Sequence, residues 1–408
     1  MKKTKFLSML LAALLLTQLF LTPVFAEAAQ EASEPEQTQI DEAGAEDDSV
    51  PEEQLLASRT QFSVDAKAAL LIDLNTGRAV YEQDADERIY PASLTKIMTC
   101  LIALENGNLS DVVTVSASAL DDLDADSSVA GLQIGEQMTL ENLLYCMMVV
   151  SGNDACNVIA EHIAGSVTDF VRMMNQRAYE LGCRSTHFNN PHGLHDESHY
   201  TTARDLSIIT QAALKSENFR QIVDTYEYVL PDDNMRQNIP KLKTTNMLIY
   251  RSMSNALYYP RAHGIKTGYT SQAGRCVISE ATGDGLDLLG IVCGAKTTVL
   301  DSGDLLMENF TECARLFDYG FDNYSYLTLM SPLYPVDQVK INHSAGAEAV
   351  AVAPQDEIKV LLPNDYDPDQ LKTDIQLNSD SVDAPVREGD VLGSATVSYA
   401  GEVLGQTK

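Results

Sequence analysis

Positive charge is scarce in this chain. Its 408 residues carry 28 Lys and Arg against 59 Asp and Glu, a formal charge of −31 at pH 7. Nucleic acid is bound by neutralising its phosphates with Lys and Arg, so this balance excludes it as a partner. The same acidity gives no pull towards anionic lipid. Metal-binding patterns are missing as well. The seven cysteines (Cys100, Cys146, Cys156, Cys183, Cys276, Cys293, Cys313) contain no Cys-x-x-Cys pair. His187, His192, His195 and His199 cluster, but not as His-Glu-x-x-His, so no metal is expected. The odd cysteine count and the apolar surroundings read as buried thiols acting as small hydrophobes, with a disulfide left open. Long apolar runs are missing beyond the N-terminus, which excludes any further membrane span.

The one apolar run, residues 6–21, follows Lys2, Lys3 and Lys5 and precedes Val24-Phe25-Ala26. Positive residues, a short apolar stretch and small residues at a cleavage point read as a secretory signal over residues 1–26. Residues 27–58 hold eleven acids and no Lys or Arg, an acidic disordered leader. The chain is therefore expected to be exported and to work on the extracytoplasmic side.

The remainder is long enough for two domains. Residues 68–74 and 78–82 read as strands joined at Asn75-Thr76-Gly77. Apolar periodicity places helices after Pro91, after the cap Thr139, and over 155–164, 167–181, 202–215 and 304–317. Residues 275–281 and 286–293 are strands. Strands at both ends with helices between predict an α+β domain over 59–325, one antiparallel sheet with a helical subdomain. From Tyr326 onward, short strand patterns (336–341, 347–352, 358–362, 375–377, 391–392, 395–399) separated by Gly, Pro, Asp and Asn predict a small all-β domain over 326–408.

Three short motifs carry chemistry. Ser93-x-x-Lys96 opens the helix after Pro91, with both side chains on one face. A serine hydroxyl needs a neighbouring base, and a lysine desolvated by an apolar pocket can be one. Ser151-Gly152-Asn153-Asp154 lies between two helices, where Ser-x-x-Asp is equally a capping pattern. Lys266-Thr267-Gly268-Tyr269 begins the strand-rich block. Read singly, Ser93 starts a helix, Ser151 caps one, Lys266 is a surface lysine and Tyr269 a packing aromatic. A second Ser-x-Asn at Ser216-Glu217-Asn218 looks like an ordinary helix end.

In this order, Ser-x-x-Lys, Ser-x-Asn and Lys-Thr-Gly form the shared signature of penicillin-binding proteins and serine β-lactamases. Ser-Leu-Thr-Lys-Ile-Met-Thr, Ser-Gly-Asn-Asp-Ala, Asn-Pro-His-Gly-Leu and Gly-Ile-Lys-Thr-Gly-Tyr-Thr sharpen the likeness. Residues 66–319 resemble the low-molecular-mass D-alanyl-D-alanine carboxypeptidases, and the tail resembles that family's C-terminal domain. The resemblance implies the DD-peptidase/β-lactamase fold and an exported serine peptidase of the cell envelope. Its substrate would be the D-Ala-D-Ala terminus of peptidoglycan stem peptides, and β-lactams would inhibit it. Ser93 would be the nucleophile and Lys96 the candidate base. Ser151 would relay a proton, and Asn153 would hold Lys96 and the substrate amide. By the same resemblance Lys266 and Thr267 receive the terminal carboxylate, and Gly268 admits the substrate backbone. The N–H groups of Ser93 and Tyr269 would form an oxyanion hole. No metal or organic cofactor is required.

Competing readings are a β-lactamase, a DD-endopeptidase and a non-catalytic envelope-binding protein. No glutamate after Ser151 suggests fast deacylation of the kind class A β-lactamases carry out. Intact Ser93, Lys96, Ser151 and Lys266 argue for an enzyme. Family members often end in an amphipathic membrane helix, whereas this sequence stops in β-like residues. Peripheral membrane contact is therefore left open.

Overall fold

The central strand β1 (Ala68–Asp73) is buried along its whole length, as its unbroken apolar run predicts when both sheet faces are covered. The computed structural model describes residues 62–408, apart from 122, 124–126, 240, 253, 301, 302 and 304. The signal expected at 1–26 and the leader at 27–58 lie outside the described residues.

Strand β2 (Ala79–Gln83) pairs with β1 across the expected hairpin turn. The other strands of this sheet come from far along the chain: β3 (Ala262–Thr270), β4 (Gly274–Gly283) and β5 (Leu286–Ala295). The order is β2-β1-β5-β4-β3, every pair antiparallel. Chain ends therefore build the sheet, and β3 is left as an edge.

Side chains alternate between the two faces, as the period of a strand requires. Leu70, Ile72, Ile278 and Ile291 face one core, and Leu71, Val277, Leu288 and Val292 the other. The first core is shared with α1 (Lys96–Asn106), α2 (Leu140–Val149), α3 (Asn153–Ala164), α4 (Val167–Glu180) and α5 (Ala203–Ala213). The second is closed by α6 (Glu308–Asn323) through Phe310, Leu316 and Phe317. Burying one such side chain contributes roughly 1.5–3 kcal/mol, so both faces of the sheet are held by many independent contacts.

The helix expected at 304–317 starts instead at Glu308. Leu305–Met307 forms a small strand against Thr297–Val299. Leu305 and Leu306 satisfied the helical spacing, but pairing in a hairpin fixed them.

The all-β region holds eight strands: β6 (Tyr324–Met330), β7 (Asp337–Asn342), β8 (Ala349–Val352), β9 (Ile358–Pro363), β10 (Leu371–Leu377), β11 (Ser381–Asp383), β12 (Gly393–Tyr399) and β13 (Glu402–Thr407). They form three small sheets, β6-β9, β8-β7-β11 and β10-β12-β13. The strand expected at 391–392 is not one, and β6 was not anticipated. Tyr324 and Tyr326 of β6 reach back to β2 and β1. Tyr326 Oη donates to Asp73 Oδ2 at 2.6 Å, and Tyr324 Oη donates to the Val80 carbonyl at 3.1 Å. No helix among the described residues is long and apolar enough to cross a membrane.

Candidate active site

Edge strand β3, the start of α1 and the turn between α2 and α3 meet at a cleft of about 780 Å³. Each expected motif supplies one wall. Ala92–Thr95 forms a turn of 3₁₀ helix that runs directly into α1. Within that turn Ser93 alone is partly exposed; Ala92, Leu94 and Thr95 are buried. Lys96 follows on the same face and is itself fully buried.

The Lys96 ammonium position is crowded with acceptors. Its Nζ lies 2.8 Å from Ser93 Oγ, 2.7 Å from Asn153 Oδ1 and 2.8 Å from the His192 carbonyl oxygen. Taking an ammonium out of water costs several kcal/mol before its partners repay it. Burial accordingly pushes the Lys96 pKa below the ordinary lysine value, with the Asp154 charge acting the other way. Cys156 is no anion to steady it, because burial pushes that thiol up to about 12.

Ser151 is not the helix cap that its sequence allowed. Gly152 occupies the N-cap position of α3 without a side-chain bond. Ser151 instead adopts φ 62, a left-handed conformation costing about 1–3 kcal/mol in a residue with a Cβ. That backbone turn brings its Oγ to accept from Lys266 Nζ at 3.1 Å. By contrast, Ser216 of the second Ser-x-Asn does cap a helix, accepting from Phe219 N.

Lys266 is buried too, and its Nζ also donates to the Thr267 carbonyl at 2.9 Å. Burial drives its pKa well below the usual value, and the nearby Lys96 charge pushes the same way. Two buried lysines this close favour holding one proton less than two isolated ammonium groups would. The Thr267 hydroxyl lines the cleft and pairs with Thr245 Oγ1 at 2.6 Å. A Cβ on Gly268 would lie 3.1 Å from Ser93 N, so only glycine lets β3 close on the nucleophile without a shift.

The eight expected site residues are thus gathered at one cleft, Lys96 and Lys266 behind its surface and the others at or next to it. The family profile for D-alanyl-D-alanine carboxypeptidase matches residues 55–297. The chain belongs to the D-alanyl-D-alanine carboxypeptidase family. The penicillin-binding protein 5 C-terminal domain profile matches residues 331–408. D-alanyl-D-alanine carboxypeptidase DacF of Bacillus subtilis is 33% identical over 360 residues, covering 85% of each chain. DacC of Escherichia coli K12 is 29% identical over 360 residues, covering 84% of this chain and 82% of its own. The crystal structure of penicillin-binding protein 5 from Haemophilus influenzae aligns with TM-score 0.62 and 27% identity, over 85% of this chain and 96% of that one. The protein is a serine-type D-Ala-D-Ala carboxypeptidase, and membership carries a peptide substrate and β-lactam binding.

Several residues that shape the carboxypeptidase cleft were missed in the sequence. The Asn-Pro-His-Gly-Leu loop acts through its backbone: Thr99 Oγ1 donates to the Pro191 carbonyl at 2.6 Å, and Lys96 to that of His192. The His192 ring stays neutral, held at about 3 mainly by burial. A Cβ on Gly193 would fall 1.8 Å from the Ala92 carbonyl oxygen, so that glycine backs the nucleophile turn directly. Asp154 accepts from the N–H groups of Ala130 and Gly131 at 2.8 Å and of Leu132 at 3.0 Å. It thereby ties the loop bearing Ser127 and Ser128 to the Ser151 turn. Arg275, on β4, also lines the cleft. The His-Gly loop and Asp154 had a sequence signal, through the Asn-Pro-His-Gly-Leu and Ser-Gly-Asn-Asp-Ala motifs.

Proposed function

We propose that the chain removes the terminal D-alanine from peptidoglycan stem peptides through an acyl-serine intermediate on Ser93. The observation that carries this reading is the buried Lys96 Nζ 2.8 Å from the partly exposed Ser93 Oγ. Lys96, whose neutral form burial favours, takes the Ser93 proton as Oγ attacks the carbonyl of the penultimate D-alanine. The N–H groups of Ser93 and Tyr269 receive the oxyanion, each such donor contributing about 3 kcal/mol in a transition state. Ser151 relays that proton, giving its own to the leaving amine and regaining one from the ammonium formed on Lys96, and D-alanine departs. Water then attacks the ester, with the proton returning to Ser93. Asn153 orients Lys96 through its Oδ1. The signal read at residues 1–26 supports export to the cell envelope. Nothing in the site calls for nucleic acid, and membrane contact would be peripheral.

The leaving D-alanine carries a carboxylate that the cleft must receive. Thr267 offers a hydroxyl, with Lys266 behind it. Arg275 supplies a fork in front. Its Nε donates to Thr297 Oγ1 at 3.0 Å, and its guanidinium stacks 4.4 Å from the Tyr269 ring centroid. Among the described residues it has no carboxylate partner, in a chain with twice as many acids as bases. A hydrogen bond to a charged group is worth about 1.5–3 kcal/mol. Arg275→Gln should therefore raise KM about 10- to 100-fold for a peptide ending in free D-Ala. A peptide ending in D-alaninamide should be unaffected. Equal losses on both peptides would remove Arg275 from carboxylate recognition.

The test of the main reading is intact mass after mixing benzylpenicillin with the protein, together with D-alanine release from a pentapeptide. One long-lived penicilloyl adduct and free D-alanine are expected. Hydrolysed penicillin without an adduct would point to a β-lactamase instead.

A further inference from the structure

The residue before the nucleophile is held in an unusual way. Ala92 has φ 48, and its carbonyl oxygen accepts from Thr95 Oγ1 at 2.8 Å. Thr95 Oγ1 in turn lies 2.9 Å from His199 Nε2. The direction of that contact is set further back. The Asn189 N–H donates to His199 Nδ1 at 3.2 Å, so Nδ1 is the acceptor. In a neutral imidazole the proton is then on Nε2. Nε2–H donates to Thr95 Oγ1, and the threonine keeps its own proton for Ala92. Ala92, Thr95 and His199 are all buried, at 2%, 0% and 2% exposure, so water does not compete for these bonds. Burial also keeps the His199 ring neutral, with its pKa down at about 4.

What this chain fixes is a peptide plane. The Ala92–Ser93 bond is trans, because the cis bonds lie elsewhere. In a trans peptide the carbonyl and the following N–H point in opposite directions. Anchoring the Ala92 oxygen therefore aims the Ser93 N–H, which faces the close approach of Gly268. The geometry points to His199 and Thr95 as positioning residues for the oxyanion hole, acting on the Ser93 N–H through the Ala92 carbonyl. This rests on the reading of Ser93 as the nucleophile whose own N–H receives the oxyanion. Neither side chain touches substrate. Gly193 completes the mount, since any Cβ there would displace the same carbonyl.

The experiment uses the full chain and counts active sites by benzylpenicillin adduct mass, so that each rate is expressed per working site. His199→Ala and Thr95→Val should each lower kcat for D-alanine release about 10- to 100-fold per titrated site, the range of a weakened oxyanion donor. KM should stay within about twofold, because uniform binding is untouched. The isotope-edited infrared band of the penicilloyl ester carbonyl should move to higher wavenumber as its polarising bond weakens. His199→Gln and Thr95→Ser, which keep a donor and a hydroxyl, should recover most of the rate and the band position. Should His199→Ala not fold, the isosteric Thr95→Val carries the same test. Unchanged per-site kcat and band position, with only fewer titratable sites, would overturn the proposal. A wild-type protein that forms no adduct would instead strike the Ser93 reading beneath it.

Discussion

Ser93→Ala will form no penicilloyl adduct and will release D-alanine at least about 10⁴-fold more slowly than the wild type. The size follows from what the substitution leaves behind. Among the described residues Ser93 Oγ is the one hydroxyl within 2.8 Å of the buried Lys96 Nζ, so no other hydroxyl there inherits its proton acceptor. Ser151 Oγ is committed to Lys266 at 3.1 Å and belongs to a different wall. The fold should hardly notice. Ser93 is partly exposed, and Lys96 keeps Asn153 and the His192 carbonyl as acceptors. A surface-type change of this kind shifts stability by about 0.5 kcal/mol or less. Two measurements decide the matter: intact mass after benzylpenicillin, and a D-alanine assay normalised to protein with the same melting midpoint. An adduct that persists in Ser93→Ala would move the acyl group to another residue and remove the proposed nucleophile.

How much of this was legible beforehand depends on the kind of signal. Ser93 and Lys96 were readable because a helix puts residues three apart on one face. Their partners were not equally readable. Ser151 carried two meanings in sequence, cap or relay, and only the left-handed backbone at φ 62 separates them. Lys266 looked like a surface lysine in isolation; its full burial comes from packing across 115 residues of chain, onto Ser151. The sheet was legible because β1 and β5 are apolar runs, while α6 and the hairpin before it were blurred. Leu305 and Leu306 fit helical spacing and strand pairing alike. Arg275, Thr245 and His199 had no signal at all. Each matters through a neighbour that folding supplies: the Tyr269 ring across the β3–β4 hairpin, the Thr267 hydroxyl and the Thr95 hydroxyl. A sequence motif records residues at a fixed spacing, and these contacts depend on how strands and helices pair.

Lys96→Gln should cost about 10³-fold in acylation by penicillin and in kcat/KM for peptide, inside the range that removal of a general base gives. Glutamine can still donate to Asn153 and to the His192 carbonyl, so the wall should survive while the basic nitrogen is lost. Lys96→Arg should be no better, because a guanidinium stays protonated and cannot accept the Ser93 proton. The pH profile separates loss of a base from loss of shape. Burial lowers the Lys96 pKa from the ordinary 10.5, so the neutral amine exists at lower pH than in a free lysine. In the wild type kcat/KM should fall tenfold per pH unit below that pKa, where Lys96 is protonated, and level off above it. The limb belongs to the lysine pair, since Lys96 charge also depresses Lys266. On the proposed reading, a substrate carboxylate at Thr267 and Arg275 would favour the proton on Lys266 over Lys96, coupling substrate recognition to activation of Ser93. In Lys96→Gln the acid limb should vanish along with the rate. A limb that survives unchanged would assign the base to the Ser151–Lys266 pair instead.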